Sequence, residues 1–369
     1  MDRTFQTSFL ERLCQSVMDK GGFWNAHLHL DRAETFDATA AMLDGQRDAG
    51  VSSLGLSQKH GLIPMIHASE CYDPDALEAR VGACVDKMAA LGTVRADSVV
   101  DVTADRVGLT ALERLRRIAD RARDQIDFRV GAYNPLGFRD DAPERWELIE
   151  RAAPMADFIG GLPERDDRAD YPDHIGFAES CRRVIALAHA LGKPLHLHVD
   201  QKNHDREAHT EEVIRIVRDG GFVQEGAEPF IWLVHVISPS AYDDARFNRI
   251  ARALAELNIG VICCPLAALS MRQIRGLPAP THNSIARVLE LLAAGVPMRL
   301  GSDNVCDITS PAGTLDMMDE MIALAHALRF FDIDILASLG AGQVLTDAQQ
   351  DRVIAHLADD RAQSEQALR

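Results

Sequence analysis

The chain predicts an α/β protein built as a (β/α)8 TIM barrel, and three observations lead there. Short apolar runs alternate with amphipathic helical runs over most of the length. Eight strand-like runs can be counted, each with a helix behind it and nothing resembling a linker between them, which is the pattern of a parallel sheet covered by helices. Histidines and acids gather at the C-terminal ends of several of those runs, the end at which such barrels carry their chemistry. An open doubly wound sheet is the rival arrangement, but no Gly-rich phosphate loop follows the first strand. Residues 1–369 read as one domain, a length ordinary for a β/α barrel.

Residues 1–22 form an amphipathic helical segment that ends at Gly21-Gly22 and lacks the apolar core of a signal peptide. The apolar residues Phe23, Trp24, Ala26, Leu28 and Leu30 make the next run a short buried strand. Residues 32–70 are broken by Gly45, Gly50, Gly55, Gly61 and Pro64, and a long irregular segment inside a compact domain reads as a lid. A helix at 74–91 stops at Gly92, then come strand 98–102 and helix 109–124. The alternation is regular from there: strand 127–132 and helix 143–153, 156–160 and 175–191, 194–199 and 210–219. It continues through 230–236 and 241–257, 259–264 and 282–294, and 297–301 and 313–328. The tail, 332–369, is helical by pattern and is expected to pack on the outside.

Composition narrows the function. Hydrophobic residues at 47% and charged residues at 26% are those of a globular protein. A net charge of −17 argues against nucleic acid and anionic membranes as partners and leaves a small-molecule substrate. No apolar run approaches the roughly 20 residues of a membrane span. The 7 cysteines are scattered with no C-x-x-C, as expected of free thiols in the cytoplasm. Assembly into a homo-oligomer is left open.

The chemistry centres on Asn25-Ala26-His27-Leu28-His29-Leu30-Asp31. Alternate side chains of a strand share a face, so His27 and His29 point the same way. Neutral imidazole is the commonest metal ligand, although two satisfied core histidines would give the same pattern. The fifth strand ends in His196, His198, Asp200 and Gln201, the sixth in His235, and Asp303 follows the eighth. Three histidines and an aspartate at one end of a barrel can hold a single Zn2+ or Fe2+ with room for a water. The ion lowers the pKa of such a water toward about 7.

In these residues the chain resembles the amidohydrolase superfamily of metal-dependent hydrolases, and within it the cytosine deaminase-like branch. The resemblance runs from about residue 23 to 325 on HLHLD at 27–31, GGLPE at 160–164, HVD at 198–200, VH at 234–235 and GSDNVCDITSPAG at 301–313. It implies His27, His29, His198 and Asp303 as ligands of one divalent ion, Zn2+ first and Fe2+ or Mn2+ as alternatives. Asp303 then also takes the proton of the attacking water, and His235 steers the nucleophile and stabilises the developing oxyanion. His196 matches no family ligand. No lysine ends the fourth strand, where two-metal relatives carry one, and Lys193 lies at the wrong end.

Departures from the family bear on the substrate. Gln201 stands where cytosine deaminases have a proton-shuttling glutamate; it can orient a substrate but cannot transfer a proton. Asn304 replaces a substrate-touching aspartate, and Tyr133-Asn134-Pro135-Leu136-Gly137 occupies the place of a substrate-reading glutamine. Cytosine itself is therefore not expected as substrate. Asn304, Asn134 and Arg272 are the substrate-binding candidates, with Arg275 and Arg165 as further cations for a carboxylate. Asp31 either orients a ligand histidine or caps a turn. His60 and His67 in the lid segment face substrate or, by default, solvent. Cys263 and Cys264 read as packing, and Asp307 as the anchor of the last loop. With the first metal motif at residue 27, little or no β-sandwich subdomain is expected.

Together these readings describe a mononuclear metal-dependent hydrolase of a non-peptide C–N bond in a small nitrogen-containing molecule. Deamination of an aminoheterocycle and hydrolysis of a cyclic or linear amide both stay open. The rivals are a non-catalytic ligand-binding protein on the same scaffold and a binuclear phosphoester or lactone hydrolase.

Overall fold

A computed structural model of the chain describes residues 7–41, 54–222, 226, 228–271 and 285–367. Its strands are β1 (Phe23–Leu28), β2 (Thr93–Asp101), β3 (Asp127–Tyr133), β4 (Phe158–Gly161), β5 (Leu195–Val199), β6 (Ile231–His235), β7 (Gly260–Cys263) and β8 (Met298–Leu300). They form one 8-stranded sheet in sequence order, and each neighbouring pair from β1 to β8 runs parallel. The sheet curls until β8 meets β1. Asp303 N donates to His27 O at 3.0 Å and His29 N to Asp303 O at 3.2 Å. A Cβ on Gly301 would lie 2.6 Å from the His27 carbonyl oxygen, so only glycine lets the last strand lie this close to the first. The closure seats Asp303 beside the His-x-His pair.

The strands are apolar on both faces because both are covered. Their outer faces pack on amphipathic helices such as Pro74–Ala90, whose Leu77, Val81, Cys84, Val85 and Met88 recur at helical spacing and are buried. The interior holds Ala26, Trp232, Val234, Ile262 and Cys264 on one side and Val99, Tyr133, Phe158 and Leu162 on the other. Every strand among the described residues belongs to this sheet.

Three segments differ from expectation. β2 begins five residues before the expected 98, at Thr93. Its polar Arg95 and Asp97 hide the strand pattern, but they line the N-terminal mouth of the barrel, where Arg95 stacks on Trp24. The segment after β1 is more regular than its glycines suggest, with short helices at Phe36–Ala41, Leu56–His60 and Ile63–Ala68; Gly45 and Gly50 lie outside the described residues. The tail is two helices, Ile333–Gly340 and Asp347–Ala367. The first is core rather than cover: Ile335, Leu336 and Leu339 are buried, and it packs against the N-terminal helix Ser8–Asp19. No helix among the described residues is long and apolar enough to cross a membrane.

Candidate active site

Ends of β1, β5, β6 and β8 converge. His27 Nε2 lies 3.0 Å from His198 Nε2, which lies 3.4 Å from His29 Nε2. Asp303 Oδ1 is 3.1 Å from His29 Nε2 and 3.8 Å from His27 Nε2. Four donor atoms around one ion at about 2.1 Å would stand about 3.4 Å apart in a tetrahedron, so the spacing suits a single ion. The proton count agrees. His198 Nδ1 donates to Gly161 O at 3.0 Å, which leaves its Nε2 as a lone pair. His27 Nδ1 meets His196 Nδ1 at 3.2 Å. Three imidazole nitrogens therefore point at one another where protons cannot satisfy them all. The residues fit a bound cation.

Electrostatics point the same way. Burial, then the neighbouring imidazoles, hold His27 and His198 well below the usual histidine range. Burial and the Arg32 guanidinium lower His29, and burial lowers His235. Burial alone would raise Asp303, but His29, His235 and His198 outweigh it and keep the carboxyl well below its ordinary value. Neutral imidazoles and an ionised carboxylate are the ligand forms a divalent cation needs. The backbone is left-handed at Asp200 (φ 58°), His235 (φ 81°) and Asp303 (φ 58°). Non-glycine residues held there cost of order 1–3 kcal/mol each and cluster at functional sites.

His235 lies beside this cluster, its Nε2 3.9 Å from Asp303 Oδ2 and its buried Nδ1 without a partner among the described residues. His196 sits below His27, its ring tilted against that of Phe158 with centroids 4.4 Å apart. Behind His29, Arg32 contacts its Nδ1 and lies 3.5 Å from Asp101. Asp31 accepts from Asp101 N at 2.8 Å and Tyr72 Oη at 2.9 Å, and so ties the end of β1 to β2. Asp307 accepts from Thr309 N and Ser310 N at 2.8 and 2.9 Å and from Asn304 at 2.5 Å, which anchors the loop after β8.

Over the cluster opens a cavity of about 360 Å3, bordered by His60, Glu164, Arg165, Gln201, Met271 and Asp303. Asn304 and Tyr133 line its inner end. The Asn134 amide serves its own turn instead, donating to Gly137 O at 3.2 Å and accepting from Leu136 N at 2.9 Å. Arg272 and Arg275 lie outside the described residues. Neither lid histidine takes the default exposed place. His60 is half-buried in the cavity wall and driven down to about 3 by burial and by the charges of Arg32 and Arg165. His67 is fully buried between Asp101 and Asp105. Cys264 packs inside the barrel and Cys263 in the outer core.

Glu164, in the GGLPE stretch after β4, has a place that sequence reasoning missed. It is buried, and Gln201 Nε2 donates to its Oε2 at 2.9 Å. Its Oε1 is 3.0 Å from His209 Nδ1. Glu164, Asp200, Glu207 and His209 form a second group close enough to hold an ion. Here the acids raise His209 to about 10, so its ring carries a proton rather than a lone pair. Asp200 is spent on the backbone N–H groups of His209 and Thr210, at 2.9 and 3.0 Å.

Comparison with known proteins bears on this arrangement. No protein-family profile matches the chain. An uncharacterized protein of Haemophilus influenzae is 25% identical over 288 residues, 77% of this chain and 95% of that protein. A pterin deaminase of Rhizobium rhizogenes is 24% identical over 228 residues, 61% of this chain and 48% of the deaminase, so the match spans about half of that enzyme. Among solved structures, 5-methylcytosine deaminase from Klebsiella pneumoniae, liganded with 5-fluorocytosine, superposes with a TM-score of 0.73 at 23% identity over 86% of this chain and 72% of its own. The likeness to that structure is one of fold. The fold is that of this deaminase's barrel, and His27, His29, His198 and Asp303 form a group that could hold a metal ion. The two named enzymes are deaminases, which act on C–N bonds.

Proposed function

We propose that this protein is a metal-dependent hydrolase that deaminates a small aminated nitrogen heterocycle. The observation that carries the reading is the convergence of three neutral imidazole nitrogens and one carboxylate oxygen at the floor of a cavity of about 360 Å3. A deaminated pterin and a deaminated methylcytosine in the named relatives support the substrate class. His27, His29, His198 and Asp303 would hold one divalent ion, Zn2+ first. Bound there, the ion supplies an activated water at neutral pH.

The chain's own residues supply the rest. Asp303, kept ionised by its histidines, accepts the proton of the attacking water. His235 is buried with a free ring nitrogen beside that carboxylate, and it orients the nucleophile and stabilises negative charge developing on the substrate. Gln201 and Glu164 act as a pair. The glutamine donates to the glutamate, so a buried carboxyl stands at hydrogen-bond distance from the position where an acid is otherwise missing. Burial raises the Glu164 carboxyl, which suits it to carry a proton between solvent and ring. That carboxyl is the reason to prefer deamination over amide hydrolysis. Asn304 and Arg165, which border the cavity, would bind polar edges of the substrate.

The test is an ammonia-release screen of metal-loaded protein against aminopyrimidines, aminopurines, aminopterins and aminotriazines, with simple amides, phosphoesters and lactones alongside. Ammonia from one aminoheterocycle class, lost in a folded Asp303→Asn variant, is the expected result. Turnover of a phosphoester or lactone alone, or of nothing in the panel, would overturn the reading.

A further inference from the structure

The other end of the barrel holds a second cavity, of about 270 Å3. It is lined by Trp24, Arg95, Arg129, Phe158, Trp232 and Arg299, each among the first three residues of its strand. His196 forms the partition between this cavity and the metal-ligand cluster, facing His27 on one side and Phe158 on the other. The cavity is therefore separate from the candidate active site.

Its chemistry is that of an anion receptor. Arg299 is only 5% exposed and its guanidinium is held between Trp24 and Trp232, at 3.8 and 3.9 Å from their rings. One nitrogen, Nη2, donates to Glu228, while Nε is buried with no partner among the described residues. Arg95 stacks on Trp24 at 3.7 Å and bonds to Asp97 at 3.2 Å. Arg129 has no hydrogen bond or ion pair among the described residues. Asp97 and the exposed Asp127 answer Arg95, at 3.2 and 3.7 Å, and the exposed Glu228 answers Arg299, which leaves the Arg129 guanidinium and the Arg299 Nε–H group at the cavity without an acceptor among the described residues. Burial pulls Arg299 down to about 10.

A guanidinium edge pairs with a carboxylate through two parallel hydrogen bonds, and the Trp24, Trp232, Phe158, Pro194 and Pro229 walls offer apolar contact. We propose that the N-terminal end of the barrel is a binding site for a small monocarboxylate with an apolar body. Glu228 is exposed and marks the side from which the ligand enters.

Isothermal titration of the full chain with benzoate tests this, with inorganic phosphate as the second probe. One benzoate per chain is expected, weakened about tenfold or more in Arg129→Met and unchanged in Arg165→Met, which alters only the other cavity. Arg129 is half-buried and unpaired, so its variant is expected to fold; circular dichroism checks this, and Arg129→Gln repeats the measurement. No benzoate binding at millimolar concentration would overturn the proposal. So would binding lost in Arg165→Met but kept in Arg129→Met, and so would phosphate binding as tightly as benzoate.

Discussion

His67 sits with Nε2 3.0 Å from Asp101 and Nδ1 2.7 Å from Asp105. Burial alone would lower its pKa, but the bonds to Asp101 and Asp105 and their charges outweigh it and raise the imidazole to about 9. An unfolded histidine titrates near 6.5, so the difference corresponds to about 3 kcal/mol at roughly 1.36 kcal/mol per pH decade. The folded value is above the unfolded one. The contribution is therefore complete below pH 6.5 and is lost as pH rises through 9. Asp105 is depressed to about 2, so its share is complete above an unfolded pKa near 3.9 and is lost as pH falls through 2. Urea unfolding of the wild type and His67→Asn at pH 6, 7.5 and 9.5 measures the effect. The stability gap between the two should shrink by about 3 kcal/mol from the lowest to the highest pH. Parallel stability–pH curves would refute a charged His67.

Gly301→Ala should destabilise the fold by about 1–3 kcal/mol, because its new Cβ meets the His27 backbone at 2.6 Å; the same displacement should weaken metal binding, read by chelator competition. Glu164→Gln should lower kcat by about 10²–10⁴-fold if the Glu164 carboxyl carries protons. Gln201→Glu should give little gain in an otherwise native chain but should restore part of the rate in Glu164→Gln. A Glu164→Gln variant with native kcat would remove that role.

The candidate metal-ligand cluster is readable from sequence because its signals are local. A two-residue alternation puts His27 and His29 together, and the same alternation puts His196 on the face of His198 but one step deeper, where it meets His27. The barrel is readable because eight apolar runs need eight covers. What escapes is pairing between distant loops. Nothing near His67 in the chain announces Asp101 and Asp105, which arrive from the end of β2. Nothing near Gln201 announces Glu164, although an acid just past the fourth strand end was a usable signal. Asn134 shows the opposite error: Asn-Pro-Leu-Gly is a turn pattern, and the asparagine spends its amide on that turn. The early start of β2 is hidden because Arg95 and Asp97 point into a polar barrel mouth that a strand pattern does not anticipate.

The central claim is that His27, His29, His198 and Asp303 hold one divalent ion. Elemental analysis of protein purified without chelators or an affinity-metal column measures it most directly. The account predicts about one ion per chain, lost in His198→Ala with the fold retained. A folded protein that takes up no zinc, iron or manganese would contradict it, and two ions per chain would replace the one-metal site with a binuclear one.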